Sequence, residues 1–352
     1  MAKGVALPTY MLIEWGAINR LRQTDIYAWL EDRKVVLISG TGHTRLISKR
    51  LQTEMNGQKT QMKSFACANN SMRTIDELVS RIQKNETEVI MAIGGGKVLD
   101  VAKMAGTRTN IPVILIPTAI SSDAICSPIA VIRMNEATNV SIGVQMPKAV
   151  IIDLEIITAS PPRLLVAGIG DLLSNKTAIV DWKLAEQAKQ DQVNTLASIM
   201  ATQAVEAFLH SVNRRTTKRE ALLQTAAHSL ISSGIAMAIA GSSRPCSGSE
   251  HLISHALDHY CGGKALHGEQ VAIGILLAEY LQGQHTTDDN LRQYFQYLGL
   301  PLHYKELGYT EEELSYAIRM APTIRERYTV LNEYPLTDRQ IDHLLKEVFG
   351  SQ

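Results

Sequence analysis

The sequence predicts an α/β protein: a doubly wound parallel sheet in residues 1–160, followed by an all-helical domain in residues 161–352. Two observations carry this. Over the first 160 residues short β-branched runs alternate with helical segments, which is the pattern of parallel strands joined by helical crossovers. After Pro161-Pro162, a pair that breaks both helix and central strand, long helical periods take over. At 352 residues and 45% hydrophobic content the chain is long and apolar enough for one large or two medium cores.

Val35-Val36-Leu37-Ile38 reads as a buried strand, closed by the turn Ser39-Gly40-Thr41-Gly42. A helix over 43–54 and a short extended segment near 61–65 follow. Residues 71–84 repeat apolar side chains at Ile75, Leu78, Val79 and Ile82, the spacing of one helical face. The strand Val89-Ile90-Met91-Ala92-Ile93 runs directly into Gly94-Gly95-Gly96-Lys97, and a helix over 98–105 leads to the strand Val113-Ile114-Leu115-Ile116. Extended segments near 129–133 and 149–153 close the first half. Helices are then expected over 167–189, 195–212, 218–240, the histidine-rich stretch 247–270, 271–281, 310–321 and 337–349.

The stretch SGSEHLISHALDHYCGGKALHGEQ holds His251, His255, His259 and His267. The first three recur every fourth residue and so rise along one helical face. The Gly262-Gly263 break can fold His267 back towards His251. Two imidazoles and one carboxylate make an open site for zinc or another divalent transition metal. A surface helix with incidental histidines is the plainer alternative. Asp171 stands among Leu164, Leu165, Val166, Leu172 and Leu173, where an unpaired carboxylate is costly to bury. A metal shared with His251 and His267 would partner it; a helix cap would do so too.

Gly94, Gly95 and Gly96 lie at the carboxyl end of a strand, where such folds bind ligands, and a helix start there attracts a pyrophosphate. The loop matches neither of the two commonest phosphate motifs, and a tight turn that needs glycine for sterics alone would look the same. Lys97 and Asp100 follow at the helix start, where a carboxylate is also favoured electrostatically. The next strand ends in IPTAISSDAICSP, whose Thr118, Ser121, Ser122 and Ser127 supply hydroxyls and whose Asp123 supplies a charge. This loop suits the nicotinamide side of a dinucleotide and the substrate, or is an ordinary Asx-rich turn. The turn after the first strand lacks an acidic residue and has His43 and Arg45 nearby, which predicts that NADPH is accepted at least comparably with NADH.

Lys plus Arg equals Asp plus Glu at 35 each, and no basic stripe with interleaved aromatics occurs, so nucleic acid is not an expected partner. Four cysteines without C-x-x-C spacing suggest no disulfide framework. No secretory leader and no apolar run of membrane-spanning length is read from the sequence, so a soluble cytoplasmic protein without membrane insertion is expected.

The segments GGGKVLDVAK, PTAISSDAICSP, GIGDLLSNKTAIVDWKLA, SRPCSGSEHLISHALDH and HGEQVAIG together resemble sn-glycerol-1-phosphate dehydrogenases. That family belongs to the superfamily of glycerol dehydrogenases, iron-containing alcohol dehydrogenases and dehydroquinate synthases. The resemblance spans residues 35–281 and implies a Rossmann-like dinucleotide domain with the active site in the cleft beside the helical domain. It implies that Asp171, His251 and His267 ligate the metal, that His255 lies in the proton path near substrate, and that Asp123 contacts substrate. It implies NAD(P)H and one divalent ion (zinc first, nickel or iron also compatible), a small phosphorylated ketone or polyol as substrate, and a homo-oligomer. Two positions depart from the family pattern: Ser121-Ser122-Asp123-Ala124 stands where S-H-D-G is common, and Lys176 where an aromatic residue is usual.

The reaction so implied interconverts dihydroxyacetone phosphate and sn-glycerol 1-phosphate by hydride transfer. Candidate phosphate donors are Asn175, Lys176, Ser254 and Arg244, with Asn175 on the metal-facing side if its helix is unbroken. Rival readings are a glycerol dehydrogenase-like enzyme for unphosphorylated polyols and, with a sparser fit, a dehydroquinate synthase-like cyclase.

Overall fold

A computed structural model describes residues 4–55, 61–134, 139–213, 218–283, 290–334 and 336–350. Six strands form one parallel sheet: β1 (Tyr10–Glu14), β2 (Lys34–Gly40), β3 (Gln61–Cys67), β4 (Val89–Gly94), β5 (Val113–Pro117) and, further along the chain, β8 (Ala149–Asp153). Between β5 and β8, the strands β6 (Ile129–Arg133) and β7 (Asn139–Gly143) pair as a separate antiparallel hairpin. The order in the large sheet is β1-β8-β5-β4-β2-β3, all pairs parallel. Every residue of β4, β5 and β8 is buried, as continuous Val/Ile/Leu runs require when both sheet faces are covered. The edge strand β3 instead buries only Met62 and Cys67.

Helices α1 (Asp25–Leu30), α2 (His43–Met55), α3 (Met72–Lys84), α4 (Gly96–Thr109) and α5 (Leu154–Thr158) belong to this half. α3 starts where Ser71 Oγ accepts the Thr74 N–H, and its buried stripe is Ile75, Leu78, Val79 and Ile82 as its spacing predicts. The chain runs from β2 outwards to β3, then returns to place β4 on the other side of β2. The carboxyl ends of β2 and β4 therefore flank the point where the crossovers diverge, the crevice in which doubly wound sheets take ligands.

The helical half is α6 (Pro162–Leu173), α7 (Asn175–Gln187), α8 (Thr195–Asn213), α9 (Arg219–Ala240), α10 (Ser249–Tyr260), α11 (His267–Leu281), α12 (Asn290–Leu298), α13 (Glu311–Met320), α14 (Val330–Glu333) and α15 (Asp338–Phe349). α6 begins with Pro at the first helical position, which needs no N–H. One cluster of buried side chains runs without a gap from the sheet (Ile38, Ile90, Leu115) through α6 and α11 to α15 (Leu172, Ile273, Phe349).

Three expectations are corrected. The single helix expected over 167–189 is two, interrupted at Ser174, whose hydroxyl donates to the carbonyls of Asp171 (2.6 Å) and Cys246 (2.9 Å) and so competes with the ladder. β1 lies outside the expected strands; it is short, half-exposed and, among the described residues, strand-paired only with β8 at the sheet edge. α9 is long and apolar enough to cross a membrane by length and composition, although 56% of its apolar window is buried, against α8 and the loop after β5.

Candidate active site

Three helices bring the candidate metal ligands together. Asp171 sits in the last turns of α6, His251 in the first turn of α10, and His267 is the first residue of α11. Gly262 and Gly263, both at positive φ (79° and 56°), turn the chain between α10 and α11 as the sequence suggests. Two further glycines set the approach of α6 to α11. A Cβ on Gly170 would stand 2.2 Å from the carbonyl oxygen of Gly268, and one on Gly268 would stand 1.7 Å from that of Ala167. Only bare backbone fits there, and it places Asp171 beside His267.

Asp171 Oδ1 lies 3.2 Å from His251 Nε2 and 3.6 Å from His267 Nε2, and the three ligand atoms are mutually within 4.8 Å. Nitrogen and oxygen ligands of a tetrahedral zinc ion, each about 2.0–2.1 Å from it, stand roughly 3.3 Å apart, so this set fits a small divalent ion. The outer contacts fit as well. His251 Nδ1 is 2.9 Å from Glu250 Oε1, Asp171 Oδ2 accepts the Asp123 N–H at 2.8 Å, and His267 Nδ1 faces Ser254 Oγ at 3.2 Å. Hydrogen bonds of this kind fix the orientation of ligands around metals. Glu250 is itself fully buried, bonded by Thr177 Oγ1 and the Gly248 N–H. A second set, His255, Asp258 and His267, has ligand spacing but is more open to solvent, and Asp258 is already bonded by Gln270 Nε2.

The electrostatics follow from this crowding. Burial opposes charge on the Asp171 carboxyl, but the His251 hydrogen bond and the nearby His267 outweigh it and hold its pKa below the usual range. Burial also disfavours charged His251, yet the hydrogen bonds to Asp171 and Glu250 win and push its pKa up to about 9. His255 is driven the other way, well below 6.5, by burial, then by His267 and Arg325. Its ring centroid lies 6.1 Å from that of His251 and 5.4 Å from that of His267, so the neutral imidazole stands next to the candidate ligand cluster of Asp171, His251 and His267. His259 is exposed and packs on Tyr260 instead. Burial and the like charge of Asp171 raise the Asp123 carboxyl to about 7.

On the sheet side, Gly94 ends β4 and Gly95 caps α4. A Cβ on Gly94 would meet the Val98 side chain at 2.6 Å, whereas one on Gly95 would meet nothing within 4 Å. Gly94 therefore serves the tight turn, while Gly95 leaves open backbone at the head of a 14-residue helix, where an anion is favoured. Gly95 and Gly96 are half-buried and Lys97 is exposed. Thr118, whose N–H donates to the Gly94 carbonyl at 3.0 Å, lies beside them with Ser121, Ser122 and Asp123 half-buried.

The comparisons with known proteins show the family and the fold. Residues 12–161 match the family model described as iron-containing alcohol dehydrogenase. The glycerol-1-phosphate dehydrogenase [NAD(P)+] of Hyperthermus butylicus is 34% identical over 98% of this chain and 98% of its own length. That of Methanococcoides burtonii is 35% identical over 94% and 91%. The chain belongs to the glycerol-1-phosphate dehydrogenase family. The fold agrees with the crystal structure of glycerol dehydrogenase from Schizosaccharomyces pombe, at a TM-score of 0.79 and 22% identity over 99% of this chain and 91% of that one. By family, then, the chain is an oxidoreductase acting as an alcohol dehydrogenase.

Several residues expected to bind ligands in this dehydrogenase do other work. Asp100 is buried, ion-paired with Lys103 at 3.0 Å, and accepts the Val131 N–H. Ser127 is buried too, 3.5 Å from the same ammonium, with its hydroxyl turned to the Ile129 carbonyl. Lys103, fully buried, also donates to the carbonyls of Ala124 and Ser127 and so ties α4 to the loop after β5. Asp100 and Ser127 thus help tie α4 to the loop after β5. Of the phosphate candidates, Asn175 donates to the Ala201 carbonyl and Ser233 Oγ, Lys176 faces Glu279 at 3.6 Å, Arg244 pairs with Asp191 at 2.6 Å, and Ser254 faces His267. All four are engaged. Sequence reasoning missed Glu250, although it directly precedes His251 in a buried stretch, and missed Lys103, whose i,i+3 spacing from Asp100 was the available signal.

Proposed function

We propose that the protein interconverts dihydroxyacetone phosphate and sn-glycerol 1-phosphate, using NAD(P)H and one divalent ion. The observation that carries the reading is the closure of Asp171, His251 and His267 at metal-ligand spacing, in a chain 34% identical end to end with a glycerol-1-phosphate dehydrogenase. Gly95 and the head of α4 take the dinucleotide pyrophosphate, and Thr118 and Ser121 lie on the side where the nicotinamide would sit. Asp171, His251 and His267 hold the ion, which when bound polarises the substrate carbonyl and steadies the developing alkoxide. Glu250 keeps the His251 ring turned so that Nε2 faces inward. His255, held neutral, takes the alcohol proton during oxidation and returns it during reduction. Asp123, part-protonated near neutrality, is placed to hydrogen-bond a substrate hydroxyl.

Zinc, nickel and iron all suit the ligand set. Steady-state kinetics on metal-reconstituted protein with NADH and NADPH test the reading. Dihydroxyacetone phosphate should exceed dihydroxyacetone in kcat/KM by at least tenfold. Equal or better turnover of the unphosphorylated ketone would rule it out.

A further inference from the structure

The four phosphate candidates read from the sequence are all engaged elsewhere, which leaves the anionic end of the substrate without a partner. A cation remains. Arg325 lies in the segment between the turn Ala321–Thr323 and α14, is half-buried, and has no carboxylate or hydrogen-bond acceptor among the described residues. Its place is fixed from both sides. Thr323 Oγ1 contacts Tyr260 Oη at the far end of α10, while Arg327 donates to the Ser247 carbonyl and to Ser243 Oγ just before α10 begins. The segment therefore runs antiparallel along α10. Arg325, midway between these anchors, falls alongside the central turns of that helix, where Ser254 and His255 sit.

In that position the Arg325 charge bears on both His255 and His267. The next residues are locked as well: Arg244 donates to the Tyr328 carbonyl at 2.7 Å, and the Val330 N–H donates to Asp181 at 2.9 Å. Arg327 stands close enough to repel Arg325, and burial with that repulsion lowers its pKa to about 9. Two guanidiniums held together beside the candidate metal ligands, one without a counter-ion among the described residues, form a place that an anion would stabilise.

We propose that Arg325, backed by Arg327, receives the phosphate of the substrate and fixes the distance between that phosphate and the carbonyl at the metal ligands. The proposal rests on the reading of a phosphorylated ketone above. A phosphate dianion meets two positive charges here, and a guanidinium offers it a bidentate fork that a lysine ammonium does not. The segment carrying Arg325 thereby selects phosphorylated ketones over their neutral analogues.

The test uses full-length, metal-loaded protein and the variants R325Q, R325M and R325K, checked for equal metal content. R325Q and R325M should lower kcat/KM for dihydroxyacetone phosphate by on the order of 10²-fold, with dihydroxyacetone changed by less than about threefold. R325K should recover part of the loss. Calorimetric titration with inorganic phosphate gives a readout apart from turnover: the wild type should bind it and R325Q should bind it at least about tenfold more weakly. An R325Q protein that keeps both its phosphate affinity and its preference for the phosphorylated ketone overturns the assignment of Arg325 alone, as does one that loses both substrates equally. A wild type with no such preference overturns the phosphorylated-substrate reading itself, and this proposal with it.

Discussion

At the scale of single residues, the candidate site separates groups that hold an ion from groups that act beside it. Replacing Asp171, His251 or His267 with Ala should lower metal content and activity together, whereas H255A should keep the metal and lose turnover by about 10²-fold or more. Elemental analysis with kinetics on the same samples checks this; full metal content in all three ligand variants would mean the site is elsewhere. Glu250→Gln keeps the shape but removes the charge behind His251, and should weaken metal affinity by about 10–100-fold, read by competition with a chromophoric chelator. The raised pKa of His251 gives a pH dependence. Without metal this ring holds a proton up to about pH 9, and an ion can bind only the unprotonated nitrogen. Affinity should therefore rise with pH through neutrality and level off above about 9, with about one proton released per ion near pH 7 in calorimetry. A flat affinity across that range contradicts the assignment. The candidate ligand cluster was legible because imidazoles and carboxylates at helical spacing in apolar surroundings have few other uses. Arg325 was not, since its significance lies in the absence of a partner, and only the folded chain shows which cations are engaged.

At the scale of elements, the sequence gives strands β2, β4, β5 and β8 readily, because buried parallel strands are continuous apolar runs. It gives the break at Ser174 poorly. The apolar period runs straight through it, and the competing acceptor, the Cys246 carbonyl, lies 72 residues away. Asp100 misleads for a similar reason: its place near a helix start fits a ligand contact equally well, and only Lys103, Val131 and the loop after β5 decide which way it turns. The contact of α6 with α11 rests on glycine. Gly268→Ala would push a methyl group into the Ala167 carbonyl and should cost about 1–3 kcal/mol in urea unfolding while displacing His267 and reducing metal content. Wild-type stability with full metal content would show that the two helices part freely. At the end of β2, the exposed His43 and Arg45 with no acidic neighbour in the turn 39–42 favour a 2′-phosphate, so NADPH should be used at least comparably with NADH. A hundredfold preference for NADH would refute that.

At the scale of the whole molecule, the core that runs unbroken from the sheet to α15 ties together two halves that look separable in the sequence. Of the helices that present the candidate ligands, α6 also reaches the loop after β5, where the Asp123 N–H donates to Asp171, so an ion held there would brace that contact as well as the three helices. A fragment ending at residue 160 would bare the apolar side chains that α6 and α9 cover and should aggregate rather than fold. An ion at a free concentration a hundred times its Kd adds roughly 2.7 kcal/mol to the folded state as a whole. Stripping it with a chelator should lower the melting temperature by several degrees in one calorimetric peak, with the sheet and the helices melting together.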